Sequence, residues 1–174
     1  MITMKNRRKE IAISTHEIAQ RVFTYSYYVG EARRGSGHPL KLVAGLQMSD
    51  DDREQLLDHM KIAAAELDKM INCYFCAGNL RTENDAAHNG YTTLKFSLQP
   101  PQYFPKSRFE ELHRTMENYI VMRTLHQWVL QHKPDEAAIT AGEIEKLTLQ
   151  MRELMNIRVK PRRIEKRNKN RIEI

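Results

Sequence analysis

The chain has no apolar stretch approaching the roughly 20 residues that a bilayer span requires. Its opening is basic, with Lys5, Arg7, Arg8 and Lys9, but the oily run of a signal peptide does not follow. Cysteine is scarce: Cys73 and Cys76 are the only two, too few for a disulfide framework. Seven glycines and six prolines in 174 residues argue against an extended low-complexity chain. What remains is one domain of ordinary size, 41% hydrophobic and 29% charged, with no membrane contact expected.

Motifs of catalysis are missing as well. Cys73-Tyr74-Phe75-Cys76 falls in the last turn of a helix, whereas a redox pair sits at a helix start, where the dipole lowers the thiol pKa. Zinc would need two further ligands at regular spacing, so both thiols read as buried and structural. The seven histidines (16, 38, 59, 88, 113, 126 and 132) form no His-Glu-x-x-His and no Glu-x-x-His repeated on facing helices as di-iron bundles need, and read as surface or half-buried polar contacts. Gly35-Ser36-Gly37 lacks the strand and the Gly-Lys-Thr of a phosphate loop. The expectation is a protein without cofactor or metal, and not an enzyme.

Helix signals, by contrast, are plentiful. Four Ser or Thr residues precede an acid by three positions, the pattern of a capping box: Ser14 with Glu17, Ser49 with Asp52, Ser107 with Glu110, Thr140 with Glu143. Apolar residues then recur every three or four positions, as on one helix face. The stripes are Ile18, Val22, Tyr25 and Val29; Leu56, Met60, Ala63, Leu67, Met70 and Tyr74; Leu112, Met116, Tyr119, Ile120, Leu125, Trp128 and Val129; and Ile144, Leu147, Met151 and Leu154. Stops follow at Gly30 and Gly35, Gly78, Pro134 and Pro161. The fold class is mainly α, a bundle of about four helices occupying residues 1–157.

One segment has a different period. In residues 91–98, Leu94, Phe96 and Leu98 alternate with Thr93, Lys95 and Ser97, between Gly90 and Pro100-Pro101. No second alternating run is evident to pair with it. It therefore reads as a short strand or an extended loop, lying across the bundle, pairing with residues 40–46 or reaching another subunit. The aromatic run Phe23, Tyr25, Tyr27 and Tyr28 is denser than one face needs. Tyr25 fits the buried stripe and Phe23 the core, while Tyr27 points to an interface.

Charge is concentrated at the end. Residues 158–174 hold Arg158, Lys160, Arg162, Arg163, Lys166, Arg167, Lys169 and Arg171 against Glu165 and Glu173, a net +6 equal to that of the whole chain. Residues 1–157 are formally neutral. Such a basic C-terminal tail has too few apolar residues to order itself and suits an anionic partner, whether nucleic acid, an acidic protein surface or an anionic membrane; the bland alternative is a solubilising tail with no specific partner.

The order of these features resembles the small helical head–tail connector (neck adaptor) proteins of tailed phages and prophages. The likeness runs over residues 25–160 in order and length: a helix through Tyr25–Gly30, a second from Ser49 to Phe75, the extended Tyr91–Leu98, a third from Phe109 to Leu130 through Gln127-Trp128, and a last one leading into Val159-Lys160-Pro161-Arg162-Arg163. The resemblance implies a structural virion protein, assembled in the host cytoplasm into a homo-oligomeric ring next to the portal. A tail or capsid component is the neighbouring possibility. Tyr27, Leu94, Phe96 and Leu98 would then be subunit contacts, and the tail would grip a neighbouring subunit, the portal or DNA. The alternative is a small nucleic-acid-binding protein whose tail contacts phosphates, and a third class is an adaptor bundle with one protein partner.

Overall fold

The structure is a computed structural model that describes residues 8–34 (side chains to 28), 52–75, 80–100, 104–132, 134 and 137–156. In chain order they form β1 (Lys9–Ser14), α1 (Thr15–Arg34), α2 (Arg53–Asn72), β2 (Leu80–Asn84), β3 (Thr92–Leu98), α3 (Ser107–His132) and α4 (Ala137–Asn156). The fold is mainly α, with four helices and a small antiparallel sheet of order β1-β3-β2.

The sheet corrects the expectation of an unpaired strand. β3 is its centre, with Ile11 opposite Phe96 and Ile13 opposite Leu94 on one side, and Thr82 opposite Leu94 on the other. Period-two geometry sends Ile11, Ile13, Leu94, Phe96 and Leu98 to one face, where all are buried at 3% exposure or less. On the opposite face Lys95 bridges Glu83 at 2.6 Å and Glu10 at 3.6 Å, a charge ladder across all three strands. Thr15 extends the pairing beyond β1: its Oγ1 donates to the Thr92 carbonyl at 2.7 Å and accepts from the Thr92 amide at 2.8 Å. The start of α1 is thereby fixed to the start of β3. Residues 40–46, the other pairing considered, lie outside the described residues.

Of the helices, α3 is the axis of the bundle. Its buried residues occur at Leu112, Met116, Tyr119, Ile120, Leu125, Trp128 and Val129, as the spacing predicts, with Thr115, Val121 and Thr124 broadening the stripe until it meets α1, α2 and α4. α2 buries Leu56, Met60, Ala63, Leu67 and Ile71 against it, and runs antiparallel to it: Gln55 meets Gln131 at 2.6 Å, while Arg123 makes a bidentate pair with Glu66 at 2.7 and 2.8 Å. α1 is pinned by Arg21, which donates to Asn118 and lies 3.7 Å from Glu117. α4 joins through His126 and Thr140, 2.8 Å apart.

Several local expectations need correction. Tyr25 is 45% exposed, because α1 presents Ile18, Ala19, Val22 and Ser26 to the core instead. The helix also continues through Gly30 to Arg34. Asp52 is the N-cap of α2 without a side-chain cap hydrogen bond, and Ser49 lies outside the described residues. Thr140 is inside α4, and its hydroxyl donates back to the Ala137 carbonyl at 2.9 Å. Ser14 directs its hydroxyl at Asp85, 3.4 Å away. Gly35, Gly78 and Pro161 lie outside the described residues, whereas α3 does end two positions before Pro134.

Candidate functional site

The residues proposed as subunit contacts divide sharply. Leu94, Phe96 and Leu98 are at most 1% exposed and form the floor of the core, so they have no surface to offer a neighbour. Tyr27 is 52% exposed on α1, flanked by Tyr25 and by Tyr28 at 64%. Tyr27 and Tyr28 meet edge to face with ring centroids 6.1 Å apart. Tyr25 and Tyr28 also line a shallow groove of about 460 Å³ with Gln20, Arg21 and Thr24. Packing explains the exposure. Ile18, Ala19, Val22 and Ser26 take the core side of α1, which leaves Tyr25, Tyr27 and Tyr28 spread around its outer side.

At the far side of the sheet, Arg8, Lys9, Arg81 and Lys95 surround a recess of about 220 Å³ with Glu10 and Ser97. Lys95 is held there by its glutamates, chiefly by the hydrogen bond to Glu83, which also raises its pKa. Lys9 lies over the Phe109 ring, 4.4 Å from its centroid.

A polar cluster closes the loop between β2 and β3. Asp85 accepts from the Ala87 amide at 2.9 Å and faces His88 Nδ1 at 3.1 Å. The backbone hydrogen bond first, and His88 second, hold its carboxyl below the usual range. His88 stacks on His16 with centroids 3.8 Å apart, and Tyr91 meets His16 edge-on. Parallel rings cannot direct their nitrogens at one ion, and no group of metal-ligating side chains is gathered among the described residues.

The fourth feature was not anticipated. A recess of about 570 Å³ opens between the start of α2 and the end of α3, lined by Asp52, Glu54 and Asp58 and, behind them, His59. His59 is 6% exposed, and its Nδ1 is buried with no hydrogen-bond partner. Burial lowers its pKa, and the nearby Asp58 only partly opposes this. The available sequence signal was its position three residues after Leu56, on the core stripe of α2.

Cys73 corrects the reading of two buried thiols: it is exposed, with its sulfur 3.4 Å from the Lys69 carbonyl. Cys76 lies outside the described residues, as do Arg158, Lys160, Arg162, Arg163, Lys166, Arg167, Lys169 and Arg171 of the basic tail. No helix among the described residues is long and apolar enough to cross a membrane. No family model, curated protein or solved structure matches the chain.

Proposed function

We infer that the chain is a structural assembly subunit that packs against copies of itself, of the head–tail connector kind. The observation that carries this reading is the exposed aromatic group of α1, Tyr25, Tyr27 and Tyr28, with Tyr27 and Tyr28 in edge-to-face contact. Tyrosine is a favourable contact residue because it covers area at low entropic cost and keeps a hydroxyl for water or a partner. Burying roughly 100 Å² of each ring would contribute about 2 kcal/mol per tyrosine before association costs. The sheet buries its own hydrophobic residues, so the contact between copies is assigned to α1.

Sedimentation velocity of the full chain from micromolar to near-millimolar concentration tests this. A discrete oligomer that Tyr27→Ser with Tyr28→Ser dissociates, with helix content unchanged, supports the reading. A monomer at every concentration overturns it.

A nucleic-acid role is the second reading, favoured by the recess at the outer sheet face, where Arg8 and Arg81 have no ion pair among the described residues. It requires DNA affinity that falls steeply with salt and weakens when Arg8 and Arg81 are replaced by Gln.

A further inference from the structure

The start of α1 and the loop between β2 and β3 meet through two histidine rings. His16 and His88 stack with centroids 3.8 Å apart and planes 12° from parallel. Two such rings pack well while one of them is uncharged, whereas two imidazolium ions at this separation repel. Histidine is the side chain whose charge ordinarily changes between about pH 5 and pH 8. The contact that closes the loop is therefore made of groups that a modest change of acidity addresses.

The surroundings provide for one proton and oppose a second. From the loop, Asp85 faces His88 Nδ1 at 3.1 Å, and its carboxyl, held below the usual range, stays ionised across that window. The other groups on Asp85 are neutral donors, the Ala87 amide and the Ser14 hydroxyl. His88 thus has a counter-charge, and His16 has no ion pair among the described residues. On α1, Gln20 Nε2 lies 3.4 Å from His16 Nε2, which then accepts, as only an uncharged ring can. Glu17 beside it is exposed, with no ion pair among the described residues. From β3 the neutral Tyr91 ring meets His16 edge-on, and from α2 the Arg53 guanidinium stands over that tyrosine, 5.7 Å from its centroid. Arg53 adds a permanent positive charge to the cluster. His16 also lies in the first turn of α1, where the helix dipole disfavours a cation.

We propose that the His16–His88 stack is a proton-operated latch, which holds the β2–β3 loop on α1 while the pair carries at most one proton and releases it when His16 takes up a second. The release is local. Thr15 clamps Thr92 through both of its backbone groups, so the sheet beneath stays joined to α1 and the motion is confined to residues 85–91. Within that stretch the Tyr91 amide donates to the His88 carbonyl at 3.1 Å and the Ala87 amide to Asp85, so both bonds loosen when His88 leaves His16. With the loop open, His16 is an ordinary solvated imidazole, and each pH unit below about 6.5 favours the open form about tenfold. The latch is therefore closed at neutral pH and weakens as pH falls. It stands apart from the assembly reading.

Amide hydrogen exchange of the full chain, read by NMR at pH 7.5 and pH 5.5 as protection relative to a free peptide at the same pH, tests this. Protection at Ala87 and Tyr91 should be about tenfold lower at the acid end, beyond any change in the amides of α3. His16→Phe keeps a ring on His88 that takes no proton, so its response should shrink to less than about twofold. An unchanged wild-type loop, or a loss that persists undiminished in His16→Phe, overturns the proposal. The wild type also answers by itself, whatever the fit of the Phe ring. NMR contacts between the His16 and His88 rings should disappear in acid in step with the amide protection, and rings that remain stacked at pH 5.5 overturn the proposal.

Discussion

Phe96→Ala separates a core role from an interface role at the strand that the sequence singles out. Phe96 is fully buried at the centre of the sheet, opposite Ile11 on β1 and Leu80 on β2. Truncating such a ring loses its transfer energy and leaves a cavity that a three-stranded sheet, tied at Thr15, can collapse only in part. The expected cost is about 3–5 kcal/mol, a large share of the roughly 5–15 kcal/mol that holds a domain together. For a chain of this size that corresponds to a fall in Tm of about 6–20 °C. Urea denaturation followed by circular dichroism at several protein concentrations reads it directly. The difference between wild type and variant should be the same at every concentration, because the ring touches only its own chain. A cost below about 1 kcal/mol, or a difference that vanishes on dilution, would refute the reasoning and return Phe96 to a subunit interface.

Other substitutions test the remaining contacts. Burial holds His59 and His126 below the ordinary imidazole value, so below that value the unfolded chain takes up protons first. Stability should therefore fall from pH 7 towards pH 5, and His59→Leu should flatten the slope of Tm against pH. Arg123→Met leaves Glu66 half-buried without its bidentate partner and should cost about 1–3 kcal/mol at neutral pH. The Arg123 hydrogen bond depresses Glu66, so that stabilisation is complete above the normal glutamate range and is lost as pH falls through the depressed value. The gap between wild type and Arg123→Met should accordingly close in acid. Gly90 has φ +84°, and a Cβ there would meet Arg53 Cζ at an unstrained 3.5 Å. Gly90→Ala should thus cost only the backbone term, about 1–2 kcal/mol by thermal melts.

The helices were legible because burial on a bundle axis imposes a period that six or seven residues can display. The stripe of α3 from Leu112 to Val129 is the clearest case. The sheet was legible only at its centre. β1 alternates Ile11 and Ile13 for just six residues, beside the basic start, and passes into α1 without a glycine or proline to mark it. β2 offers no period at all: Leu80 is half-buried and Arg81 to Asn84 are exposed, so its place follows from hydrogen bonds to β3. Without these partners, the alternation of Leu94, Phe96 and Leu98 reads as an edge awaiting another molecule. On α1 the buried side is rotated away from the apolar stripe, since the small residues Ala19 and Ser26 are buried while Tyr25 is exposed, which a hydrophobic count cannot see. His59 was hidden for the opposite reason, a polar residue on an apolar stripe.

The pairing of Ile11 with Phe96 has a consequence for synthesis. The two residues are 85 positions apart, so β1 leaves the ribosome long before the strand that covers it exists. At about 5–20 residues per second the nascent chain carries Ile11 and Ile13 uncovered for roughly 4–17 seconds, with α1 and α2 emerging meanwhile. For that interval β1 is an apolar strand without its partner, open to non-native pairing until β3 has emerged.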